Sequence, residues 1–316
     1  MGVSRLTLTH KQEDAHDDAI WCATWVPNST QLVSGSVDES VKIWTVIEDQ
    51  QPEVVDASHT YVGHTLGVVS VAIDVTGTYA ASSALDSFIR IWNLQDNSTK
   101  AVIETPPSET WQIKFHPASD TLIVAAAGGS SSKVALWSAE DAEPKGHLGI
   151  PVTDEKFKKD KFVLSVAFSP DGRRLACGVM DGTIAVFDVP SGKLLNTLTG
   201  HHKPVRDVCF TPDSQMLLTA CDDMHSHLYD VEHASLIEAF SGHESWVLSV
   251  DCHPSGTAFA TGSSDAKVKL WDLQTRTCSQ TVTEHSDQVW SVAWQHDGKR
   301  LASASDDKSI AFYSYF

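Results

Sequence analysis

The sequence predicts an all-β fold made of seven repeated four-stranded units, and three observations carry that expectation. Aromatic residues at Trp44, Trp92, Trp137, Phe187, Tyr229, Trp271 and Tyr313 close seven similar segments, and the last three segments follow one another at 42-residue intervals. A histidine lies 28 residues before the aromatic in five of them (His16, His64, His201, His243, His285), and an aspartate lies six before it in six (Asp38, Asp86, Asp181, Asp223, Asp265, Asp307). Each unit also carries its own strand signals. In the sixth, "WVLSVDC", "TAFATGS" and "KVKLWDL" are rich in apolar, β-branched and aromatic residues and are separated by the turn formers "HPSG" and "SSD". A repeat of this length holding four strands is the signature of a propeller blade, so seven blades in one domain are expected over residues 1–316.

The two ends predict how the ring closes. After Tyr313 only "SYF" remains, too little for an outer strand of the seventh blade, while "SRLTLTHK" (4–11) alternates apolar and polar residues at Leu6 and Leu8. Residues 4–11 are therefore expected to supply that outer strand, joining first blade to last and removing an exposed sheet edge.

Composition narrows the function. The 316 residues carry a formal charge of −18, which repels phosphate backbones, so direct nucleic-acid binding is not expected. The basic cluster "KFKKDK" (156–161) is flanked by Asp154 and Glu155 and reads as a solvated loop. No apolar run is long enough to span a bilayer, and the first residues lack the apolar core of a secretory signal, so no membrane association is expected. The six cysteines are scattered and read as reduced, buried small residues. The run "GGSSS" (128–132) lacks the Gly-Lys-Ser/Thr of a phosphate loop, and no H-E-x-x-H or paired Cys/His spacing stands out. Neither a metal nor another cofactor is expected.

The His and Asp spacings and the Trp271–Asp272 dipeptide resemble the WD40 repeat, and the resemblance covers essentially the whole chain. In that pattern a Ser or Thr four residues before the Asp completes a tetrad. The full set occurs as His16–Ser34–Asp38–Trp44, His64–Ser82–Asp86–Trp92 and His243–Thr261–Asp265–Trp271. With tyrosine as the aromatic it occurs as His201–Thr219–Asp223–Tyr229 and His285–Ser303–Asp307–Tyr313. Serine, histidine and aspartate also make hydrolytic triads, but a triad is one constellation in one pocket. Five copies around a ring read as structural supports, and no catalytic residue is assigned. Unit three has Pro106 in the histidine position and "GGSSS" near the aspartate position; unit four has Lys159, Cys177 and Phe187 for His, Ser and Trp. Those two blades are expected to rely on packing. Gly146–His147 lies too far from Phe187 to be a tetrad pair.

A partner is expected on the face that carries the tetrad loops. The position six before the turn proline, or its equivalent, reads Trp21, Val69, Trp111, Leu164, Arg206, Leu248 and Trp290 around the ring. In a WD40 propeller this column resembles the one lining the mouth of the central channel. Phe162 and Trp246 lie beside it, and Asp222 and Asp306 precede tetrad aspartates on the same face. Tryptophans with an arginine make the composition of a protein-binding hot spot. Trp25 and Trp294 occupy a phase held elsewhere by Phe115, Phe168 and Phe210 and are expected in the core.

The stretches "KQEDAHDDAIW" (11–21), "GHTLGVVSV" (63–71), "AASSALDSFIRIW" (80–92) and "GKLLNTLTGHHKPVRDVCFTPDSQMLLTACDD" (192–223) resemble the family of small WD-repeat subunits of the superkiller (Ski) complex, shared with the RNA polymerase II-associated factor (Paf) complex. The likeness is looser across 97–160 and departs most at 138–157. It implies a non-catalytic scaffold, monomeric as a propeller within hetero-complexes. It also implies a tetratricopeptide-repeat subunit and a helicase as Ski partners in cytoplasmic mRNA decay, with Paf subunits as partners in transcription elongation and histone modification. Nucleus and cytoplasm are the implied locations. A peptide or histone-tail reader would use the same mouth. A ubiquitin-ligase substrate receptor would want Trp-Asp-x-Arg, where this chain has Trp271-Asp272-Leu273-Gln274.

Overall fold

The computed structural model describes residues 5–47, 54–106, 110–118, 121–128, 132–151 and 161–316. Among the described residues every regular element is a strand, and the strands pair into seven antiparallel four-stranded sheets. Six sheets are continuous in sequence. Blade one, for example, runs Ile20–Trp25, Gln31–Ser36, Val41–Ile47 and Val54–Tyr61 from the channel outward.

Blade seven takes its first three strands from Val289–Trp294, Arg300–Ser305 and Ile310–Tyr315, and its outer strand from Leu6–Gln12. Leu6 pairs with Tyr315 and Gln12 with Ile310, so the chain's first strand closes the ring. Leu6 is 2% exposed and packs into the cluster between blades six and seven, and its N–H and C=O are held by the Gln280 side chain at 2.8 and 2.9 Å. Leu8, two residues on, is 38% exposed, and the ladder shifts register directly after it, between Leu8 and His10.

Burial follows from how blades pack. An inner blade strand is covered on both faces by its neighbours, which is why "VVSVAI" (68–73) and "VLSVAF" (163–168) read as continuous apolar runs. The buried apolar residues fall into seven clusters, each joining two adjacent blades; that between blades seven and one includes Ile20, Trp25, Trp44, Ile310 and Phe312. Trp25 and Trp294 are buried there and next door, as their phase predicts, and Trp25 Nε1 donates to Ala293 O across the blade junction at 3.0 Å. The blades approach closely: a Cβ on Gly35 would come within 2.5 Å of Val68 Cγ1 in the next blade.

The segment expected to depart most supplies structure of its own. Pro144–Gly149 is the outer strand of blade three, so exposed His147 lies on a strand, far from any tetrad position. The cysteine expectation needs one correction. Cys22, Cys177, Cys221 and Cys252 are buried and Cys209 is half-buried, but Cys278 is exposed on the outer strand Thr277–Val282, where no second layer covers it.

Candidate functional site: the channel mouth and its supports

The tetrads hold the loops that shape one end of the channel. In blade one, Trp44 Nε1 donates to Ser34 Oγ (2.8 Å), Ser34 Oγ meets His16 Nε2 (2.7 Å), and His16 Nδ1 meets Asp38 Oδ2 (2.9 Å). Blade two repeats this with Trp92, Ser82, His64 and Asp86 at 2.8, 2.8 and 3.0 Å, and blade six with Trp271, Thr261, His243 and Asp265 at 2.8, 2.8 and 2.9 Å. Burial lowers the His16 and His64 pKa values more than Asp38 and Asp86 raise them, so these rings are neutral at neutral pH. A neutral ring donating from Nδ1 and accepting at Nε2 links four polar groups in one directional chain. The aspartates then cap their turns: Asp38, Asp265 and Asp307 each accept the backbone N–H two residues on, at 2.9–3.0 Å.

The two tyrosine units differ from each other. In blade seven Tyr313 OH reaches Ser303 Oγ at 3.3 Å, while His285 holds Ser303 (2.7 Å) and Asp307 (3.0 Å). In blade five His201 holds Thr219 (2.7 Å) and Asp223 (2.6 Å), but Tyr229 OH pairs with His227 Nδ1 at 3.0 Å. The hydroxyls of Ser34, Ser82, Thr219, Thr261 and Ser303 all belong to residues of 0% exposure, where no substrate could meet them. In blade four Cys177 and Phe187 are fully buried, and Lys161 takes hold of Asp181 at 3.0 Å; Lys159 lies outside the described residues. In blade three, Ala126 occupies the hydroxyl position and Trp137 Nε1 is buried without a hydrogen-bond partner. Pro106 is described, whereas residues 129–131 of "GGSSS" are not.

All seven residues of the predicted column line one cavity of about 450 Å³ at the channel. Trp21, Trp111, Arg206 and Trp290 are partly exposed there, whereas Val69, Leu164 and Leu248 are buried against it. Trp21 and Trp290 face each other across blades one and seven with ring centroids 6.0 Å apart. Phe162 is half-buried, and Trp246, 45% exposed, lies beneath the Arg206 guanidinium at 5.6 Å.

Two expected contact residues are placed otherwise. Asp222 is 5% exposed and is engaged by Arg206 Nε and Nη2, both at 2.8 Å, so it sets the arginine's direction instead of facing a partner. Asp306 is half-buried, with Gln288 Nε2 donating to its Oδ2 at 3.2 Å. Burial raises its carboxyl pKa, and Asp287 and Asp18 add repulsion, against the pull of the Trp290 and Trp21 N–H groups. Trp290 Nε1 and Asp306 Oδ1 are enclosed together without forming a hydrogen bond of normal geometry.

One ring of residues escaped the sequence reading. Directly after the mouth column, the side chains of Ser70, Gln112, Asp207, Ser249 and Ser291 accept backbone N–H bonds from Ile113, Val166, Val250, Val292 and Ala23 of the next blade, at 2.6–3.2 Å. Inner strands have an unpaired edge toward the channel, and these acceptors satisfy it. The signal was a polar or small residue recurring at one register among apolar neighbours. Deeper in the channel, Asp251 Oδ2 accepts from Trp294 N at 2.7 Å and Oδ1 from Cys209 Sγ at 3.6 Å. Burial pushes the Asp251 carboxyl up to about 6, with Asp207 adding repulsion and the Trp294 N–H and Lys114 opposing. A raised carboxyl makes the folded chain the tighter proton binder, so stability is lost as pH rises from the ordinary carboxylate value through about 6. Asp251→Asn keeps an acceptor for Trp294 and removes that loss. The full linkage would be about 3 kcal/mol, reduced by channel solvent to about 1–2 kcal/mol. Urea melts should show the variant ahead at pH 7.5 and level at pH 4.

Ring, tetrads and family comparison agree on the class of protein. Residues 6–45, 56–93, 234–272 and 276–314 match the WD domain, G-beta repeat, each match beginning on or beside the outer strand of one blade and ending on the third strand of the next. The chain is a seven-bladed WD40-repeat β-propeller, a fold that generally serves as a non-catalytic interaction scaffold. Residues 150–249 also match the Vps8 beta-propeller.

Among its relatives is WD repeat-containing protein VIP3 of Arabidopsis thaliana, 48% identical over 203 residues, 61% of each chain. WD repeat-containing protein SL1-17 of Schistosoma mansoni is 34% identical over 199 residues, 62% of this chain and 61% of that one. Superkiller complex protein 8 of Dictyostelium discoideum is 30% identical over 109 residues, 34% of this chain and 35% of that one. The matches thus span about three fifths of the length of the first two relatives.

Proposed function

We propose that this propeller is a non-catalytic subunit that captures a short segment of a partner protein across the channel mouth, within superkiller-type and RNA polymerase II-associated factor-type assemblies. The observation that carries the reading is the convergence of Trp21, Trp111, Trp290 and Arg206 on one cavity whose walls are Val69, Leu164 and Leu248. Large aromatic anchors around an apolar pocket are where binding energy concentrates. The net charge of −18 favours a segment carrying Arg or Lys beside its apolar anchor. The likeness to a superkiller complex protein supports the Ski part of this reading, and the resemblance in sequence supports the Paf part. A tetratricopeptide-repeat subunit, a helicase and Paf subunits are the proposed partners, in nucleus and cytoplasm, with no direct contact to nucleic acid or membrane. The bidentate Arg206–Asp222 pair keeps the arginine of the mouth preorganised, which limits the ordering cost of binding.

The test is affinity purification of the full chain with mass spectrometry, beside the Trp111→Ala/Trp290→Ala double variant. Partner recovery should fall at least tenfold with each truncated anchor costing about 1–2 kcal/mol, while the melting temperature changes little. Equal recovery from both proteins would rule out the mouth as the binding surface.

A further inference from the structure

Blade five departs from the other tetrad blades at three positions, and each change is toward a metal-ligating side chain. Cys221 stands where blades one, six and seven have Ser36, Ser263 and Ser305. Those hydroxyls accept the N–H of the tetrad aspartate at 3.1 Å, and Cys221 Sγ accepts that of Asp223 at 3.5 Å. His225 stands where blades one and seven have Ser40 and Ser309, and His227 where blades one and six have Lys42 and Lys269. With the tetrad aspartate this makes Cys221-x-Asp223-x-His225-x-His227, facing the tetrad histidine His201.

The fold draws these groups together. Ligand atoms of His201, Cys221 and Asp223 lie within 4.8 Å of one another. His225 Nδ1 is 3.6 Å from Asp223 Oδ1 on the solvent side, where the Asp223 and His225 side chains are 20% and 39% exposed. His227 stacks on His201 with centroids 3.7 Å apart and spends its Nδ1 on Tyr229, so it backs the site without ligating.

We propose that His201, Cys221, Asp223 and His225 form a binding site for a divalent transition-metal ion of the zinc type. One thiolate, two imidazoles and a carboxylate are the donor set that a tetrahedral borderline ion takes, with bonds of about 2.0–2.3 Å. The His201, Cys221 and Asp223 donor atoms, within 4.8 Å of one another, need only small side-chain rotations to reach that geometry, and His225 joins them by turning its Nδ1 away from Asp223 O, 2.7 Å away. Loading releases the Cys221 thiol proton to solvent; that thiol otherwise donates to Lys203 O at 3.3 Å. The His201 ring proton passes from Nδ1 to Nε2 through solvent exchange. From Nε2 it is donated to Thr219 Oγ1, 2.7 Å away, which fixes the ring as outer ligands do in metal sites. Thr219 keeps an outlet for its own hydroxyl proton at His227 O, 3.4 Å away.

The test is titration of the full chain with Co²⁺, followed by displacement with Zn²⁺. One Co²⁺ per chain should bind with tetrahedral d–d bands and a thiolate-to-cobalt charge-transfer band, both lost when Zn²⁺ is added. Cys221→Ser should abolish the charge-transfer band and weaken binding at least tenfold, and His225→Ser should weaken it about tenfold. Both substitutions install the residue that blades one and seven carry at the same place, so the fold is expected to stand, with unchanged circular dichroism as the check. Cys278→Ser, at the exposed cysteine, should leave the signal intact. Absence of Co²⁺ binding, an unchanged band in Cys221→Ser, or loss of the band in Cys278→Ser would each overturn the assignment.

Discussion

Replacing Leu6 by alanine lowers the stability of the propeller by about 2–4 kcal/mol, while Leu8→Ala changes it by less than about 0.5 kcal/mol. The two leucines are two residues apart on one strand, so propensity and chain position cannot separate them. Leu6 is 2% exposed, lies in the cluster joining blades six and seven, and is clamped by Gln280; Leu8 is 38% exposed at a register shift. Removing the Leu6 side chain leaves a cavity among Val282, Leu301 and Tyr313, whose backbones are fixed by their own ladders and cannot collapse into it. The strand 6–12 also covers an edge that would otherwise be open along Ile310–Tyr315. Urea melts monitored by tryptophan fluorescence check both values. Equal effects at the two positions would mean that the N-terminal strand contributes only its backbone pairing.

His243→Ala destabilises the chain by about 1–3 kcal/mol, through the partners it strands more than through the volume it removes. His243 is 8% exposed and links Thr261 Oγ1 to Asp265 Oδ2 at 2.8 and 2.9 Å. Without it the Thr261 hydroxyl, at 0% exposure, has no acceptor on that side, and Asp265 depends on the Glu244 and Lys267 N–H groups at 3.0 Å each. The effect has a pH signature. Burial raises the Asp265 carboxyl, but the hydrogen bonds from His243 and Glu244 outweigh it and hold the pKa at about 2. A depressed carboxyl contributes stability above its unfolded value and loses it as pH falls toward the folded value. The deficit of His243→Ala should therefore be full at pH 6 and shrink as pH approaches about 2. Chemical denaturation at several pH values reads this directly, and a pH-independent deficit would point to packing alone.

Much of the fold was legible because a propeller repeats its physics. Each blade buries its inner strands against the next, so the same apolar pattern, turn and buried polar support recur at a fixed spacing, and counting aromatics, histidines and aspartates finds them. The closing strand was legible for a related reason: four strands per unit left one unaccounted for at one end of the chain and one spare at the other. Single positions were less legible. Tyr229 matched the aromatic position, yet its hydroxyl turns to His227, whose identity matters only once the two rings share space.

The mouth column shows the same division. Spacing alone named Trp21, Val69, Trp111, Leu164, Arg206, Leu248 and Trp290 as neighbours, because residues at one register of every blade must face one axis. It also placed Asp222 and Asp306 on that face, but side-chain pairing decided what they do. Asp222 turns inward to Arg206, since an unpaired carboxylate near a low-dielectric wall is costly, and half-buried Asp306 takes its hydrogen bond from Gln288. The blade-five cluster was written plainly as Cys221, Asp223, His225 and His227, yet its ligating partner His201 is twenty residues away from the nearest of them. Periodicity fixes which backbone positions share a ring, a face or a blade, and for this protein the sequence determined that by itself. Which polar atoms meet within those surfaces depends on rotamers and on approaches of a few ångströms between blades, and only the tertiary structure decided those.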